Sequence, residues 1–117
     1  MANLFYRNTN AKIYVEVLDN DNEYVGVSTA SIKWYIKTPD NYIYSNDTNI
    51  DDYTFQNGTG VYSATPVVQQ EAVGIYYIQY VVTKVGEYKY KFQVTDDDAQ
   101  VKIAISGDIK VIGDGVF

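Results

Sequence analysis

The residues best suited to chemistry in this 117-residue chain are acids gathered in two short runs. Asp19-Asn20-Asp21-Asn22-Glu23 sets oxygens at alternate positions, as a calcium loop does, so Asp19, Asp21 and Glu23 are candidate ligands. The run lacks the central glycine and the distal bidentate glutamate of that motif. Asp96-Asp97-Asp98 forms a second run, with Asp96 and Asp98 as further candidates. An ion held between the runs requires both to lie at one end of the fold. The plainer alternative, two solvated acidic turns, is the reading adopted, and no cofactor is expected. Paired carboxylates also serve glycoside hydrolysis, which needs two acids ~5 to 10 Å apart across a cleft. Here the acids fall in turns, away from the apolar positions that raise a pKa. Histidine and cysteine do not occur. That excludes the commonest general base, thiolate zinc sites, disulfides and the Ser–His and Cys–His pairs. No enzyme activity is expected. Asn46-Asp47-Thr48 and Asn57-Gly58-Thr59 match the glycosylation pattern and are read as chance matches in Asn-rich loops.

The formal charge of −6 opposes binding to phosphate backbones and anionic lipid, so neither nucleic acid nor membrane is an expected partner. Lys84, Lys89, Lys91, Lys102 and Lys110 are scattered among acids and read as solvated strand faces. The first residues show no basic start followed by an apolar run, and no stretch approaches the ~18 apolar residues of a membrane span. Synthesis in the cytoplasm is expected. Thirteen tyrosines suit half-buried strands and also protein interfaces.

The elements that would position these residues are strands. Residues 11–17 alternate, with Ile13, Val15 and Val17 on one face, and a polar turn follows. A short strand is expected at 24–27. In 32–37, Ile32, Trp34 and Ile36 share a face, which makes the sole tryptophan a core anchor. Thr38-Pro39-Asp40-Asn41 reads as a turn. Short strands are expected at 42–44, 53–55 and from 61. Residues 67–73 read as a loop or single turn. Residues 75–83 are apolar on both faces and read as a central strand covered on both sides. The cleanest alternation has Tyr88, Tyr90, Phe92 and Val94 on one face. Separate strands are expected at 101–105 and 109–112. Short strands at regular spacing predict an all-β, antiparallel sandwich or barrel. The division expected is an N-terminal arm over 1–10, one domain over 11–112 and a tail over 113–117.

Lys37-Thr38-Pro39-Asp40, Gly60-Val61-Tyr62-Ser63-Ala64 and Gly86-Glu87-Tyr88-Lys89-Tyr90-Lys91-Phe92 form a series, in that order. The series resembles small immunoglobulin-like structural proteins of tailed bacteriophages, over about residues 11 to 112. Asn41 stands where the turn's glycine would be, and asparagine tolerates a similar backbone. The resemblance implies an immunoglobulin-like β-sandwich of about 7–9 strands. It also implies a non-catalytic part of a virion at the neck, the tail or the capsid surface. The expected partners are other virion proteins and copies of itself, and the expected location is the virion, after synthesis in host cytoplasm. The resemblance brings no site residue with it. Tyr14, Tyr35, Tyr42, Tyr44, Tyr76 and Tyr80 are the candidate contact surface, because they fall opposite expected core positions or on short strands. The alternative is a sandwich module that binds a carbohydrate or cell-surface ligand.

Overall fold

Alternation builds most of this chain. In the computed structural model, which describes residues 3–19, 21–47, 59–63, 65–96 and 101–113, Ala11, Ile13, Val15 and Val17 are buried while Lys12, Tyr14 and Glu16 face water. A strand with that pattern needs one apolar partner layer, and the fold supplies it. Nine strands occur among the described residues. They are β1 (Asn3–Tyr6), β2 (Thr9–Glu16), β3 (Ile32–Lys37), β4 (Tyr42–Ser45), β5 (Thr59–Tyr62), β6 (Gln69–Ala72), β7 (Ile75–Val82), β8 (Gly86–Asp96) and β9 (Val101–Ile112). A single 3₁₀ turn, Thr29–Ser31, precedes β3. Among the described residues no helix is long and apolar enough to cross a membrane.

The strands form two sheets: six strands in the order β1-β9-β8-β3-β4-β5, and three in the order β2-β7-β6. The core lies between them. Ile32, Trp34, Ile36, Tyr88, Phe92, Val94, Ile109 and Val111 from the larger sheet meet Ile13, Val15, Tyr76, Ile78 and Val82 from the smaller. The chain is thus all-β with two facing sheets, and Trp34 anchors the core as its alternation predicts.

Pairing departs from the antiparallel expectation in two places. β1 runs parallel to β9, and β4 parallel to β5. The second is feasible because the chain between β4 and β5 reaches the roughly dozen residues that a parallel connection needs. Residues 3–6, expected as part of an arm, instead lie along Ile109–Ile112. The chain then crosses to the other sheet at Arg7-Asn8, where Arg7 N–H donates to Ile112 O and Asn8 N–H to Val82 O. Asn8 takes φ 68°, a turn conformation asparagine tolerates.

Other expectations shift as well. Residues 24–27 form only an isolated bridge, Leu18 with Tyr24. Residues 69–72, read as a loop, pair with β7 as a short exposed edge strand with a bulge. Tertiary pairing there overrides the helix-favouring Gln-Gln-Glu-Ala composition. β7 is central in its sheet, but only its Tyr76, Ile78 and Val82 side is buried; Gln79 and Val81 face solvent because no third layer among the described residues covers them. The expected break near Gly107 is absent, and β9 runs through it. A Cβ at Gly107 would lie 2.5 Å from the Tyr90 hydroxyl, so this glycine makes room for a ring within a strand. The strand expected at 53–55 and residues 114–117 of the tail lie outside the described residues.

At one end of the sandwich the β3–β4 turn meets the β7–β8 connection. Gly86 takes φ +136°, and a Cβ there would stand 2.9 Å from Pro39. Asn41 sits at φ 67° in the turn, the backbone that a glycine would otherwise supply. Asp40 bonds the Lys84 ammonium across the same contact.

Candidate functional site

The six candidate tyrosines occupy different environments. Tyr76 is fully buried on the core face of β7, and its hydroxyl is locked to one residue: it accepts from Val27 N at 2.7 Å and donates to Val27 O at 2.7 Å. It cannot meet a partner, because it shares the inward register with Ile78 and Val82. Tyr35 points out of the larger sheet as alternation predicts, yet it is only 3 % exposed. Its ring packs with Ile43, and its hydroxyl donates to Asp47 Oδ2 at 2.7 Å. Both residues therefore leave the contact surface.

Tyr44 and Tyr80 are half-buried with ring centroids 6.2 Å apart, and Tyr80 meets Tyr88 edge-on at 6.2 Å. Tyr44 and Tyr80 line a shallow cleft of about 420 Å³ with Ser63, Pro66 and Thr83. Burial, then the neighbouring Tyr88 and Tyr44 hydroxyls, push the Tyr80 phenol well above the usual tyrosine range. Tyr42 is exposed nearby, with the Lys84 ammonium 5.1 Å from its ring centre. The same ammonium, foremost by its hydrogen bond, holds the Asp40 carboxyl below the usual carboxylate range.

Tyr14 is the exposed candidate with an aromatic neighbour on the smaller sheet. Its ring lies 5.5 Å from that of Tyr77 across the β2–β7 pair. Lys12 stands over both, 4.4 Å from the Tyr77 ring centre and 5.7 Å from that of Tyr14. Glu71 closes the group: Tyr14 donates to it at 3.2 Å, and Lys12 lies 3.7 Å away. β2 pairs only with β7, so its second edge is open among the described residues. Tyr6, Tyr24 and Tyr62 are exposed too and fall outside the candidate set. Weak or absent alternation around them leaves no signal in the sequence that picks them out.

In the acidic run at 19–23, Asp19 spends one carboxylate oxygen on the run's own backbone. Asp19 Oδ1 accepts from Asp21 N at 2.8 Å and from Glu23 N at 3.0 Å. Asp19 N–H donates to Glu23 O at 2.9 Å, and Asn22 supplies φ 62°. That is an aspartate-organised turn. Among the described residues no group of three acids, histidines or cysteines could hold a metal ion. Asp98 lies outside the described residues, and only the backbone of Asp96 is described. Asn46, in one of the two glycosylation matches, ties its own loop to β3. Its Oδ1 accepts from Trp34 N at 2.9 Å and its Nδ2 donates to Ile32 O at 3.1 Å. Asn57 lies outside the described residues.

The lysines are less scattered in space than along the chain. Lys33 and Lys37 on β3, Lys89 and Lys91 on β8 and Lys110 on β9 all fall on the outward register of the larger sheet. Ladder pairing between distant segments gathers them, and no linear pattern announces it. The chain matches no protein-family model, no curated protein and no solved structure.

Proposed function

We propose that this chain is a non-catalytic docking component of a tailed-phage particle, built on an immunoglobulin-like sandwich. It serves at the neck, the tail or the capsid surface, against copies of itself and other virion proteins. The strand order supports the immunoglobulin-like reading. A β2-β7-β6 sheet facing β9-β8-β3-β4 follows the B-E-D and G-F-C-C′ arrangement of such domains. Trp34 is buried on the strand that corresponds to C. Tyr88, near the start of the strand that corresponds to F, accepts from Lys84 N at 3.0 Å, as a tyrosine corner does.

The observation that carries the docking reading is the edge of β2 that is open among the described residues, on an eight-residue strand beside an exposed aromatic group. Unpaired edges recruit strands. A second copy added antiparallel across a two-fold axis at Tyr14 sets Lys12 opposite Glu16 of that copy, and Glu16 opposite its Lys12. The same register sets Ile13 beside Val15 on the buried face. Opposite charges directly across a pair stabilise it, so the edge is complementary to itself. Light scattering of the purified protein tests this pairing. Lys12→Glu should lower the solution mass toward one chain, and adding Glu16→Lys should restore it. A mass unmoved by either change overturns the edge pairing. Mass spectrometry of purified particles tests the placement: a fixed copy number supports it, and particles without the chain overturn it.

A further inference from the structure

The outer face of the six-stranded sheet concentrates positive charge in a chain whose net charge is −6. Lys37 stands directly opposite Lys89, an arrangement of like charges that costs stability. Glu87 at 3.7 Å and Asp108 at 3.4 Å offset Lys89. Lys33 has no ion pair among the described residues. It lies diagonal to Lys91 across the β3–β8 ladder, a spacing of ~7–8 Å between backbones. Both line one cavity of about 580 Å³, with Tyr35, Asp47, Gln93 and Thr95.

The wall of this cavity is fixed in advance. Tyr35, itself almost fully buried, donates to Asp47 Oδ2 at 2.7 Å. Asp47 N–H donates at 2.9 Å to Ser45 Oγ, on a residue with no exposure. Asn46 between them is tied to the β3 backbone through both atoms of its amide. A carboxylate held this way needs no reorganisation to accept a hydroxyl.

We propose that this cavity binds a carboxylated saccharide of the uronic-acid type. The sugar carboxylate sits between the Lys33 and Lys91 ammonium groups, and ring hydroxyls bond Asp47, Gln93 and Thr95. Hydroxyls both donate and accept, which suits a lining with a carboxylate, an amide and a hydroxyl side by side. An acidic peptide fits less well. Protein partners need a desolvated aromatic or aliphatic anchor, and the one ring among the described lining residues, Tyr35, is covered. The site lies on the sheet that does not contain β2 and is independent of the docking reading.

Calorimetric titration with trigalacturonate, maltotriose and triglutamate tests the proposal. Trigalacturonate should bind saturably and maltotriose should not. Lys33→Gln and Lys91→Gln should each weaken binding by about tenfold, the scale of one charge-assisted hydrogen bond. Lys12→Gln, on the other sheet, should leave it unchanged. Unchanged Trp34 fluorescence in the variants shows that the fold is kept. No saturable trigalacturonate binding, equal affinity in the Lys33 variant, or tighter binding of triglutamate each overturns it.

Discussion

Replacing Tyr76 with phenylalanine removes one oxygen and should cost more than most single substitutions in this chain. The hydroxyl makes two hydrogen bonds at 2.7 Å, both to the backbone of Val27, and Val27 is itself buried. Each bond contributes ~1 kcal/mol net, and each Val27 group left without a partner adds ~1–3 kcal/mol of unmet polarity. Phenylalanine is easier to bury, which offsets part of this loss. The net is roughly 3 kcal/mol, or a midpoint about 10 °C lower for a domain of this size. Urea unfolding followed by the fluorescence of Trp34, the sole tryptophan and a buried one, reads the difference directly. The slope against urea should not change, because the surface exposed on unfolding is the same. Tyr14→Phe, on an exposed residue, should stay within about 0.5 kcal/mol of the parent. A Tyr76→Phe loss below about 1 kcal/mol, or one matched by Tyr14→Phe, refutes the bonding argument.

Gly86→Ala combines a φ of +136° with a Cβ 2.9 Å from Pro39. It should cost about 2 kcal/mol in the same assay, whereas Gly26→Ala, with its nearest neighbour 3.8 Å away, should cost less. The pH dependence has two arms with opposite signs. Tyr80 has its folded pKa raised, so its contribution is intact below the ordinary tyrosine value of ~10 and is lost as pH rises above it; Tyr80→Phe should flatten the alkaline fall in unfolding midpoint. Asp40 has its folded pKa lowered, so its contribution is present above the ordinary aspartate value of ~3.9 and is lost as pH falls; Lys84→Met should shrink the acid fall.

What is legible in the residues is whatever period two records. β2, β3 and β8 follow from alternation, and so does Trp34 as a core residue. Asn41 at the turn and Gly86 at the strand start mark one contact, Pro39 against Gly86, so two motifs distant in sequence report a single place in the fold. Alternation does not say which face of a doubly apolar strand is inward. Tyr76, expected at the surface, therefore lies in the core, whereas Tyr14, on a strand with one clear face, is exposed as expected. β6 leaves no signal because its four residues gain their strand geometry from β7 alone. The lysine face depends on β3 lying beside β8, some fifty residues apart in the chain, and strand order leaves no local mark.

The most direct test of the docking account is the mass of the purified protein in solution, by light scattering over rising concentration. Self-pairing of β2 gives a discrete multiple of the 13.3 kDa chain that Lys12→Glu dissociates and that the added Glu16→Lys restores. A mass of one chain at every concentration would contradict the self-pairing of β2.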